Sequence, residues 1–160
     1  MIDLRRILVP TDFSKSSHSA LTYGVAFARK FGAELHLLHV VQDIALFIPE
    51  AVLAPLPALA PLEQFTTAAR TALERVVREG DWAGVPIHPE VAEGRPSEEI
   101  VRFARERTVD LIVMGCHGHT GLAHVLLGSV ADKVVRRAPC PVLTVRHPEH
   151  EFVHPDSPQP

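Results

Sequence analysis

The spacing of apolar residues changes period repeatedly along the chain. Ile7-Leu8-Val9 is a short β-branched run closed by Pro10 and followed by Thr11-Asp12-Phe13-Ser14, a cluster of turn and capping residues, which predicts a buried strand feeding a loop. From about Ser16 to Phe31, Ala20, Leu21, Val25, Ala28 and Phe31 fall on a helical stripe, and Gly32 stands where a helix stops. Glu34 to Val40 is a second extended run. Glu63 to Glu79 returns to helical spacing through Phe65, Ala69, Leu73, Val76 and Val77. Val85 to Val91 reads as a third strand, and its two prolines, Pro86 and Pro89, demote it to a sheet edge. Pro96-Ser97-Glu98-Glu99 opens another helix, with proline and carboxylates in the first turn where the helix dipole favours them. Asp110 to Met114 is apolar enough after its first residue to be buried on both faces. A glycine-bearing loop from Gly115 to Leu127, a helix from about Ser129 to Arg137 and a last strand Val142 to Val145 complete the pattern.

Strands alternating with helices predict an α/β fold: a doubly wound, open, parallel five-stranded sheet with helices on both faces. Ligands of such sheets bind beyond the carboxyl ends of the strands, where the strand order reverses. Two strand ends carry unusual residues: the first, with Pro10-Thr11-Asp12, and the fourth, with Met114-Gly115-Cys116-His117-Gly118. Residues 1–146 form one domain, and 147–160 read as a polar, proline-rich flexible tail. Between Gln42 and Leu62 the pattern is broken by Pro49, Pro55, Pro57 and Pro61, which allow neither a long helix nor a central strand. The apolar Ile44, Leu46, Phe47 and Ile48 of that connection need a cover, supplied either by a partner or lid contact or by packing on the domain.

Composition narrows the reading. The 160 residues are 46% hydrophobic and 22% charged, which excludes disorder and disulfide scaffolds. The net charge of -3 gives no global basic excess for holding nucleic acid. Ten histidines would carry that charge to +7 if all were protonated, so acid sensitivity near pH 6 is a possibility to set beside plain surface histidines. No apolar run spans a bilayer and no secretion signal opens the chain, so the expected location is cytoplasmic. Cys116 and Cys140 make no metal spacing.

The chemistry concentrates in Gly115-Cys116-His117-Gly118-His119-Thr120-Gly121 and Leu127-Gly128-Ser129-Val130. Glycines let backbone N–H groups approach an anion, and a helix N-terminus adds unpaired donors and positive dipole. Ser129 is placed to donate its hydroxyl and to cap the helix; the alternative is that the glycines serve turns and Ser129 only caps. The spacing Gly115-x2-Gly118-x9-Gly128-Ser129, together with Arg-Ile-Leu-Val-Pro-Thr-Asp-Phe-Ser at the start, closely resembles the universal stress protein family, and in particular its ATP-binding branch. The likeness runs from about Leu4 to Arg146.

The resemblance implies the strand order 3-2-1-4-5 and a nucleotide at the switch point between the first and fourth strands. Pro10, Thr11 and Asp12 would then lie at the nucleotide, with Asp12 facing the ribose or a bound Mg²⁺ and the backbone of Val40 meeting the adenine edge. Met114 would line the base and ribose pocket, and Gly115, His117, Gly118, Gly128, Ser129 and Val130 would wrap the phosphates of ATP or another adenine nucleotide. Cys116 departs from the usual serine, and His119 from a common Arg or Lys, which weakens the hold on phosphate at high pH. The family also implies a homodimer through Val142 to Val145, and the apolar, proline-broken 42–62 connection is where an unknown protein partner is expected. The function expected is a nucleotide-dependent dimeric regulator of the stress response. No residue is assigned as catalytic: there is no Walker lysine and no well-placed general base, leaving slow ATP hydrolysis or autophosphorylation, or an interaction module with a vestigial site, as alternatives.

Overall fold

The computed structural model describes residues 1–42, 61–82, 84–116 and 127–146. The order of elements is β1 (Arg6–Pro10), α1 (Lys15–Phe31), β2 (Glu34–Val41), α2 (Leu62–Glu79), β3 (Ile87–Glu93), α3 (Pro96–Glu106), β4 (Leu111–Gly115), α4 (Ser129–Arg137) and β5 (Val142–Val145). All four strand pairings are parallel, and the sheet order is β3-β2-β1-β4-β5. The order reverses between β1 and β4, so the two strand ends with unusual residues are neighbours.

Alternate residues of the strands supply two cores. Ile7, Val9, Leu35, Leu37 and Val113 pack with Leu21, Val25 and Ala28 of α1 and Leu73 of α2. Leu8, Leu38, Val40, Ile112 and Met114 pack with Ile100 and Ala104 of α3 and Ala131 and Val134 of α4. The sheet is therefore covered on both faces, which is why β1 and β4 have almost no polar positions.

Local chemistry sets the element ends. The Ser14 side chain caps α1 by accepting from the Ser17 N–H, and Gly32 closes the helix with φ +68°, a left-handed conformation that suits glycine. β3 is an edge strand as its prolines require, but it lies two residues later than the apolar run: Val85 donates its N–H to the Trp82 carbonyl in a turn, and the ladder continues to the Val41–Glu93 pair. β4 begins at Leu111, just after Asp110, whose carboxylate accepts from the N–H groups of Arg5 and Arg6. Ser129 does not cap α4. Gly128 holds that position, and Ser129 is the first helical residue.

Candidate functional site

The site is built where β1 and β4 end side by side. Past Pro10 the chain turns sharply into α1, and Thr11 organises the turn. Its N–H donates to the Leu38 carbonyl (2.8 Å), its carbonyl accepts from His39 Nδ1 (2.8 Å), and its hydroxyl accepts from the Phe13 N–H (3.1 Å) and shares a hydrogen bond with Ser17 Oγ (3.1 Å). Asp12 Oδ1 accepts from the Ser14 N–H at 3.0 Å, so this carboxylate also shapes the entry to α1. Phe13 has φ +63°, costly for a residue with a side chain, and its ring lies against His39 at 4.7 Å.

On the fourth strand Gly115 packs directly on the first turn of α1. A Cβ there would sit 2.4 Å from Ser16 Oγ and 3.0 Å from the Ser16 carbonyl carbon, so only glycine admits this approach. Ser16 Oγ is itself buried without a hydrogen-bond partner among the described residues, a costly state for a hydroxyl. The Cys116 N–H donates to the Val145 carbonyl, and the Gly128 N–H to the Cys116 carbonyl at 2.6 Å, so both ends of the 117–126 segment are tied together.

α4 starts at this junction. Its N-cap, Gly128, has no side chain with which to satisfy the first N–H groups, which leaves an uncapped positive helix end beside the β4 terminus. Val40 and Met114 are buried in one cluster, against which Leu127 and Val130 pack, so an apolar wall adjoins the helix start. The fold thus brings together Pro10, Thr11, Asp12, Val40, Met114, Gly115, Gly128, Ser129 and Val130 around the carboxyl ends of β1, β2 and β4. His117 and Gly118, with His119 and the rest of their loop, lie outside the described residues, as do the 43–60 connection and the 147–160 tail. Cys116 is buried, and burial pushes the Cys140 thiol up from its ordinary value, away from an activated nucleophile.

Sequence reasoning missed Ser16, Ser17 and His39. The Ser14-x-Ser16-Ser17 run directly after a strand turn carried part of the signal; the pairing of His39 with Thr11 becomes visible only in three dimensions.

Comparison with known proteins agrees with this geometry. Residues 3–146 match the model of the universal stress protein family. Universal stress protein MJ0531 of Methanocaldococcus jannaschii is 40% identical over 151 residues, 92% of this chain and 85% of that one. The solved structure of protein MJ0577, from the same organism, superposes with a TM-score of 0.75 at 32% identity, covering 93% of this chain and 100% of the other. A universal stress protein solved in complex with cAMP superposes with a TM-score of 0.62 at 26% identity, over 91% and 98% of the two chains. With its strand order, its glycine-started helix and this continuous match, the chain belongs to the universal stress protein family.

Proposed function

We propose that the chain binds an adenine nucleotide, ATP in the first instance, in the crevice between β1 and β4, and acts as a nucleotide-dependent regulator of the stress response. The observation that carries this reading is the start of α4 on Gly128: an uncapped helix N-terminus beside the apolar wall of Val40, Met114 and Val130. An apolar patch for a base next to free donors for an anion is the arrangement a nucleotide needs. The relative in complex with cAMP supports the adenine assignment. The orphaned Ser16 hydroxyl adds a donor whose acceptor a phosphate oxygen would provide. Asp12, at the end of β1, is the group for the ribose or for Mg²⁺, and Gly118 belongs to the phosphate loop by its spacing from Gly115 and Gly128.

The reading includes two surfaces and a location. β5 pairs with β4 on one side and ends the sheet, so its other edge suits a second copy of the chain across a two-fold axis. The 42–62 connection is the surface for a protein partner that reads nucleotide state. The location is the cytoplasm; among the described residues no helix is long and apolar enough to cross a membrane.

The test is to denature freshly purified protein, identify any released nucleotide, and titrate ATP with Mg²⁺ calorimetrically into the wild type and Gly118→Val. Binding by the wild type that the variant loses at least tenfold supports the reading. Equal binding by both, or none by either, rejects it. Phosphate release abolished by Gly118→Val would instead favour a slow ATPase.

A further inference from the structure

A second polar cavity lies at the amino ends of the strands, on the α3–α4 face and far along β2 from the crevice. It is a half-open pocket of about 350 Å³, and among its lining residues is His36, whose side chain is 6% exposed. Neither ring nitrogen has a hydrogen-bond partner among the described residues, although buried imidazoles ordinarily find one. Carboxylates stand just beyond bonding geometry on both sides: Glu90 Oε1 is 3.5 Å from Nδ1 and Glu34 Oε1 is 3.7 Å from Nε2. The Phe103 ring of α3 meets the His36 ring edge to face at 5.5 Å, and the His88 ring lies 5.2 Å from that imidazole.

Every element around His36 contributes charge. On β2, Glu34 accepts from Arg6 of β1 at 2.9 Å and faces His88 Nε2 of β3 at 3.5 Å. Glu90 of β3 has only a loose contact with Arg107, at 3.9 Å, and Glu106 stands beside Arg107 at the end of α3. Among the described residues no three His, Cys, Asp or Glu side chains are arranged to hold a metal ion, and the two His36 nitrogens face different carboxylates.

The strand beside His36, β3, pairs with β2 over seven register positions but has no strand on its other side. β3 is at the sheet edge and none of its residues is fully buried. Pro89 has no N–H to give to the ladder. Two of its side chains, His88 and Glu90, form one wall of the cavity, so lifting β3 opens His36 to water.

We propose that His36 is an acid-operated latch on β3: the neutral ring packs shut beside the edge strand, and proton uptake is coupled to β3 separating from β2. Burial holds the closed imidazole below its ordinary value, outweighing the pull of Glu34 and Glu90, and a charged His88 pushes in the same direction. In the opened state the ring meets water and titrates near its ordinary midpoint, about 6.5. Above that pH both states carry a neutral ring and acid has no effect. As pH falls below it the open state takes up one more proton than the closed one, so the opening equilibrium rises by up to about tenfold per pH unit, until the closed ring is itself protonated.

The test follows the His36 ring signals by NMR and amide hydrogen exchange in the full chain from pH 7.5 to 5, with exchange rates corrected for their intrinsic pH dependence. The expected result is a His36 ring still mainly neutral at pH 6.5, with protection of residues 87–93 falling below that pH relative to β1. In His36→Leu the fall is absent; if that variant does not fold, the wild-type titration decides alone. A ring half-protonated at or above pH 6.5, a constant ratio of β3 to β1 protection, or the same fall in His36→Leu would overturn the proposal.

Discussion

At the carboxyl end of β1 every polar group of Thr11 has a partner within the fold, whereas near the amino end of β2 the His36 ring has none. The two regions share one sheet and differ in how their polar groups are held. In the crevice, short bonds fix Thr11, Ser14 and Ser17, and Gly115 is pressed against Ser16, so the β1–α1 turn is rigid before any ligand arrives. In the cavity, Glu34, His36, His88, Glu90 and Arg107 are linked by four contacts of 3.5 to 3.9 Å, close enough to attract and too far to lock. Preorganised donors favour a ligand of fixed shape, because little ordering entropy remains to be lost on binding. Loosely held charges favour a response to a change of charge.

The largest expected effect that would break this comparison is at Gly115. In Gly115→Val the added carbons meet the Ser16 backbone, so α1 must move away from β4. The cost expected is about 1–3 kcal/mol, as for other overpacked cores, read as a lower urea midpoint with an unchanged slope. A variant as stable as the wild type would mean that the contact with α1 is not tight. Ser16→Ala sharpens the comparison with a smaller effect of opposite sign on two readouts. Removing a buried hydroxyl without a partner should leave stability unchanged or raise it by up to about 1 kcal/mol, measured by urea unfolding without nucleotide. The same change should weaken ATP binding about five- to tenfold, the value of one hydrogen bond of roughly 1 kcal/mol. A loss of stability with unchanged affinity would show Ser16 to be a packing residue alone.

Much of the fold was legible because each period of the apolar pattern corresponds to one layer. The alternation of Ile7-Leu8-Val9 and Ile112-Val113-Met114 with helical stripes implies strands covered on both faces, and the two cores confirm it. The strand order itself came through family likeness, since periodicity carries no information on which strands are neighbours. The crevice could be read in part because Pro10-Thr11-Asp12 and Gly115 interrupt apolar runs. The sequence suggests Ser129 as a cap because Gly128 and Ser129 both suit that position, but the helix starts one residue earlier than a serine cap requires. The positive φ of Phe13 had no sequence signal, because tertiary contacts with His39 and Thr11 hold it there. The His36 cavity was invisible for a related reason. Glu34 and His36 are separated from His88 and Glu90 by a helix and a connection, and only the register that pairs His36 with His88 brings them together.

The central claim is that the crevice between β1 and β4, and not the cavity at His36, receives the nucleotide. The most direct measurement is to follow backbone amide signals of the full chain while ATP and Mg²⁺ are added at neutral pH. The account predicts shifts at residues 11–12, 40, 114–116 and 129–131, with 87–90 unmoved. Shifts centred on residues 34–36 and 87–90, with the start of α4 unaffected, would contradict it.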